Sequence, residues 1–232
     1  MNRTLDLSVL DAIVREYTEA QSPVTQVLII VIGVVFVGEL LGAALLTKSN
    51  SVRIFATGIF AVHPWVAWPL SPVLHKGLQH FLASVLFALL YGIPVEKHWN
   101  WKAYSAFIIV TGYATIVSGT ASLWLFSDSQ LAFYGASGII YALAGYSFTH
   151  FTLEHDDMDL VEKVALFFGV IALVSVVFDI VTGPYFTPEW INGGHLSGFV
   201  IGGLAGYFGP NECNDQARSE TCTMHPHQQI QN

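Results

Sequence analysis

Six stretches of this chain, at roughly 24–47, 77–95, 103–126, 131–152, 164–182 and 190–209, are long, apolar and carry at most one charged residue each. A hydrocarbon core of about 30 Å needs about 20 such residues per helical crossing. Backbone in lipid must satisfy its own hydrogen bonds, so the segments can only be helices or strands of a closed barrel. A barrel would show short alternating segments, and none is present. Of the 232 residues, 53% are hydrophobic and 11% charged, against about 25% charged in a soluble domain. The expected fold is an all-α membrane protein, a six-helix bundle over 24–209, with an N-terminal segment 1–23 and a polar tail 210–232 expected to be disordered.

The net charge of −8 resides mainly in the N-terminal segment, the loop from Glu154 to Glu162 and the tail. It argues against a nucleic-acid partner. Leu7, Leu10, Ile13, Val14 and Tyr17 recur at helical spacing in the first segment, as in an amphipathic helix at a membrane surface. No cleavable signal peptide is expected there, because acids and bases interrupt any short apolar core. Cys213, Cys222, His225 and His227 in the tail match no zinc spacing, and neither a metal nor a cofactor is expected.

Lys and Arg set the orientation. With six crossings and both termini on one side, that side holds Arg3, Arg15, Lys97, Lys102, Lys163 and Arg218, and the other only Lys48, Arg53 and Lys76. The positive-inside rule places both termini in the cytoplasm of a multi-pass cell-membrane protein. Residues 48–76, with Pro64, Pro69 and Pro72 among Trp65 and Trp68, read as a loop dipping into one leaflet, since prolines break helices and tryptophans favour the interface. Glu39, inside Gly38-Glu39-Leu40-Leu41-Gly42, reads as a buried acceptor held by hydrogen bonding.

In that topology the second, fourth and sixth crossings run in the same direction. His80, Ser137 and His195 lie about four, six and five residues into them, so at 1.5 Å per residue all three fall roughly 6–9 Å below the non-cytoplasmic ends. Ser137 stands between glycines in Gly135-Ala136-Ser137-Gly138 at the front of a helix, where small neighbours and first-turn N–H groups make room for an attack on a carbonyl. His195 is the candidate base for it. No acid is spaced to complete a triad, so a Ser137/His195 dyad is expected. Tyr141, one helical turn after Ser137, is placed to pack on the imidazole. His80 is the best side-chain donor to an oxyanion and Ser84, a turn further, a second one of short reach. Gly138 on one helix and Gly198, Gly202 and Gly206 on another offer small faces for close helix packing.

These residues resemble the rhomboid intramembrane serine proteases. The likeness rests on Gly135-Ala136-Ser137-Gly138 with Tyr141, on His195-x-x-Gly198-x-x-x-Gly202, on His75 to Ser84 entering the second crossing, and on Val95-Glu96-Lys97 after it. It spans roughly Ser71 to Gly209. It implies Ser137 as nucleophile, His195 as base, and cleavage of peptide bonds in or near transmembrane helices of other membrane proteins. Two features depart from the family pattern: Ser84 stands where an asparagine donor is usual, and neither Trp65 nor Trp68 is followed by arginine. By the same resemblance a substrate helix would enter laterally beside the fifth crossing, with water entering under the loop 183–190. A catalytically inactive relative that binds transmembrane helices is the alternative. A transporter using Glu39 and Asp179 would need repeated halves, and residues 24–126 and 131–209 show no such symmetry.

Overall fold

In the computed structural model, residues 7–45, 69–75, 77–126, 134–154, 156, 158–186 and 193–209 are described. Among them the chain is all-helical. A surface helix α1 (Leu7–Glu19) precedes α2 (Pro23–Leu45), and a single 3-10 turn (Ser71–Val73) leads into α3 (Leu78–Glu96). Then follow α4 (Trp101–Phe126), α5 (Ser137–Leu153), α6 (Leu160–Phe186) and α7 (Gly193–Phe208). The helices α2 to α7 fall on the six apolar stretches. Four of them, α2, α3, α4 and α6, are long and apolar enough to cross a membrane. The other two, α5 and α7, have 17 and 16 residues, so at 1.5 Å per residue they span only about 24–26 Å.

The helix α5 is the axis of the bundle. It packs on α3, α4, α6 and α7, and its contact with α7 is the most extensive in the molecule. Its Ile139, Ile140, Leu143, Ala144, Tyr146 and Phe151 form the middle of the core. The peripheral faces are apolar too: Ile30 and Val34 of α2 and Phe167 and Val174 of α6 are more than 60% exposed. That outward hydrophobicity is what a helix surrounded by lipid needs.

Helix ends are tied by the few buried acids. Glu96 at the end of α3 accepts the N–H groups of Val24 and Thr25, each at 2.8 Å, which satisfies first-turn donors of α2 with a negative charge at the positive end of its dipole. Thr25 also meets the Tyr104 hydroxyl at 3.3 Å, and that hydroxyl donates to the Gly92 carbonyl. Glu39, 4% exposed, accepts the His75 N–H through both carboxylate oxygens at 3.1 and 3.2 Å. The carboxylate expected to be a structural acceptor therefore fastens α2 to the segment entering α3. On the surface Lys97 pairs with Glu16 of α1 at 3.1 Å and with Asp159 before α6 at 2.8 Å. Burial works against the Asp159 carboxylate, but Lys97 and the Glu162 N–H outweigh it and hold its pKa below the usual value.

Pro64, Trp65, Trp68, residues 187–190 and the tail cysteines and histidines lie outside the described residues, whereas 183–186, expected in a loop, belong to the last turn of α6.

Candidate functional site

The site begins where the chain turns into α5. Gly135 has φ +117, a left-handed conformation that glycine adopts without penalty. Its N–H donates to the Ser71 carbonyl at 2.8 Å. A Cβ at this position would lie 2.8 Å from Cε1 of His80, so glycine serves both the turn and the close approach of the imidazole. Helical bonding starts at once, with the Ile140 N–H donating to the Ala136 carbonyl at 3.0 Å. Ser137 is thus the first residue of α5.

That position corrects the depth expectation. Ser137 does not lie six residues into its helix; the turn at Gly135 starts the helix later than hydropathy implied. His80 and His195 are each the third residue of their helices. The three nevertheless lie together at one end of the bundle, each at or near the start of its helix.

Ser137 and His195 meet. The Nε2 atom of His195 lies 3.0 Å from the Ser137 Oγ. The Tyr141 ring stacks on the imidazole, centroids 4.1 Å apart and planes 14° from parallel, and its hydroxyl lies 3.1 Å from the Ser175 Oγ of α6. An imidazole held against a flat ring while one nitrogen faces a hydroxyl has the orientation a proton acceptor requires. His80 comes close to the same turn through Gly135. Ser84 is 2% exposed and sits one turn deeper on α3.

Close approach is built from glycine. A Cβ on Gly202 would lie 1.7 Å from the Ala142 carbonyl oxygen, on Gly198 2.4 Å from that of Gly138, and on Gly145 2.1 Å from that of Phe199. The helices α5 and α7 therefore touch backbone to backbone, and the contact of Gly198, three residues after His195, sets how far the imidazole stands from Ser137.

Sequence reasoning missed the part played by α4. A Cβ on Gly138 would lie 2.2 Å from the Thr115 Oγ1. Ser118 and Ser197 share a hydrogen bond of 2.5 Å, and Ser118 also donates to the Gly193 carbonyl at 3.3 Å. The Gly193 N–H donates to Ser122 at 3.2 Å. These bonds anchor the start of α7, two residues before His195. Thr115, Ser118 and Ser122 recur at helical spacing, but Ser105, Thr111 and Thr120 share the segment, so spacing alone does not single them out.

Comparison with known proteins adds a separate line. Residues 62–211 match the profile of the Rhomboid domain. Curated relatives include the rhomboid protease GlpG of Salmonella paratyphi A and that of Salmonella newport, both 26% identical over 151 residues, which is 60% of this chain and 51% of each relative. The chain thus spans about half the length of the curated relatives it matches.

Proposed function

The chain belongs to the rhomboid family of membrane proteins, and from that premise we propose that it is an intramembrane serine endopeptidase acting through Ser137 and His195. The observation that carries the reading is the 3.0 Å contact between the Ser137 Oγ and the His195 Nε2. In this reaction His195 takes the hydroxyl proton as Oγ attacks the carbonyl carbon of a substrate peptide bond. The negative charge on the tetrahedral oxygen is met by the Ser137 N–H at the start of α5 and by His80. The imidazolium then gives its proton to the departing amine, leaving an acyl-enzyme on Oγ. Water, activated by the same imidazole, releases the carboxylate and restores the serine.

The surroundings and the family resemblance support a substrate class. A serine at the head of a short helix inside a bundle with apolar outer faces is reached by the chain of another membrane protein, entering beside α6. Carbonyls in an intact helix are occupied by their own hydrogen bonds, so the substrate must unwind locally, and segments weakened by glycine or proline yield most easily. The proposed site opens toward the non-cytoplasmic side, because Lys97, Lys102 and Lys163 cluster at the opposite end.

One observation favours the alternative, an inactive relative that binds transmembrane helices: Ser84 occupies the usual place of the family's asparagine donor, and a hydroxyl has shorter reach. The two readings separate in liposomes containing a single-span substrate. Cleavage by the wild type, with none by Ser137→Ala or His195→Ala, is expected, and Ser84→Asn is expected to raise the rate. A wild type that binds the substrate helix and never cuts it overturns the protease in favour of the binder.

A further inference from the structure

At the end of the bundle away from Ser137, the α3–α4 connection, the last turn of α5 and the first turn of α6 converge on a second cluster. His98, His150 and Glu154 each offer a ligand atom there, and these atoms all lie within 4.8 Å of one another. The two imidazoles stand 4.7 Å apart, inclined by 67°. The proposed proteolysis uses none of them: His150 is 13 residues along α5 from Ser137, about 20 Å at the helical rise.

His150 is the informative member. Its Nε2 is buried and makes no hydrogen bond, although the Glu154 Oε2 lies only 3.3 Å away. A buried ring nitrogen thus faces a carboxylate oxygen with no hydrogen bond joining them, a gap that a cation held between the two would fill. His98 is oriented by a carboxylate of its own. Its Nε2 lies 2.8 Å from the Glu162 Oε1, and Glu162 is itself held by the Asp159 N–H at 2.9 Å. With that carboxylate on its N–H, the other ring nitrogen of His98 is left as a donor of electrons. A carboxylate on the outer N–H of an imidazole, as Glu162 provides for His98, is the arrangement that orients metal-binding histidines.

We propose that His98, His150 and Glu154 form a binding site for a divalent transition-metal ion of zinc-like preference, completed by water. Two imidazoles and one carboxylate suit that class, while a calcium or magnesium site would be built from oxygen alone. Bonds of about 2.0–2.2 Å require the donor atoms to draw closer than they now stand. The Glu154 side chain, 37% exposed at the end of α5 and already 3.3 Å from the His150 Nε2, needs only a small movement to join it on one ion. The bound ion would staple the α3–α4 connection to the end of α5, the helix whose other end carries Ser137.

The test uses the full chain, produced without a histidine tag, stripped with chelator in detergent and titrated with zinc by calorimetry. Cobalt(II) absorption provides a second readout. One saturable zinc per chain is expected, together with a zinc-dependent rise in the unfolding temperature. His150→Gln and Glu154→Gln are each expected to weaken binding at least about tenfold, since even outer partners of metal ligands are worth about that much. Replacing Cys213, Cys222, His225 and His227 of the tail is expected to leave binding intact. Absence of saturable binding overturns the site, as does binding untouched by both variants or lost with the tail residues. Glu154→Gln, at the exposed end of the helix, keeps the test decisive if His150→Gln fails to fold.

Discussion

The seam between α5 and α7 and the outer face of α6 are both apolar, yet they are held in opposite ways. Along the seam, Gly145, Gly198 and Gly202 bring backbone against backbone with no room for a Cβ. On α6, Ile171, Val174 and Val177 present branched side chains to the surroundings, 47%, 61% and 49% exposed. The difference follows from the solvent. Lipid tails are as apolar as valine, so hydrophobicity gives two helices in a membrane little reason to associate. Association at the centre has to come from close van der Waals contact and buried hydrogen bonds, and the periphery need only be oily. The proposed nucleophile and base sit on the two helices that are joined in the first way, where the distance between their side chains is set by backbone contact.

Breaking the seam should have the largest effect. Gly202→Ala, whose new methyl would stand 1.7 Å from the Ala142 carbonyl oxygen, is expected to cost about 3 kcal/mol, the upper end for overpacking. Thermal unfolding in detergent checks the stability, and loss of cleavage is expected beside it because the Ser137–His195 distance opens. A smaller loss follows from Glu39→Ala, which leaves the buried His75 N–H without its acceptor. About 1–3 kcal/mol is expected, with Glu39→Gln recovering most of it through its remaining carbonyl oxygen. The smallest effect belongs to the outer face. Val174→Ala and Ile171→Ala should each change stability by less than about 0.5 kcal/mol, as substitutions at exposed positions do. A loss comparable to that of Gly202→Ala would show that α6 is packed against something, and the contrast between the two regions would fail.

Much of this was legible in the sequence because the membrane limits the options. Uncharged length located six helices, and the glycine spacing of Gly198 and Gly202 marked the seam. Ser137, Tyr141 and His195 stood out by the glycines around the serine and by the helical spacing of Tyr141 from it, although Ser147, His150, Asn192 and Ser197 share their segments, and the structure brings the three together. Helix starts were less legible, since hydropathy is blind to the backbone turn at Gly135 that makes Ser137 the first residue of α5. Partners on other helices were also hidden. Thr115, Ser118 and Ser122 bear on the site only through three-dimensional packing against α5 and α7. The pairing of His98 with His150 joins residues 52 positions apart, and no spacing rule foretells it, although His150 and Glu154 already share a helix face.

The most direct test of the Ser137–His195 pair is covalent labelling of the detergent-solubilised chain with a serine-directed fluorophosphonate, followed by mass spectrometry of the labelled peptide. Labelling is expected at Ser137 alone, absent in Ser137→Ala and at least about a hundredfold slower in His195→Ala, as for loss of a general base. Labelling that persists in Ser137→Ala, or that is as fast without His195 as with it, would contradict an activated serine at the head of α5.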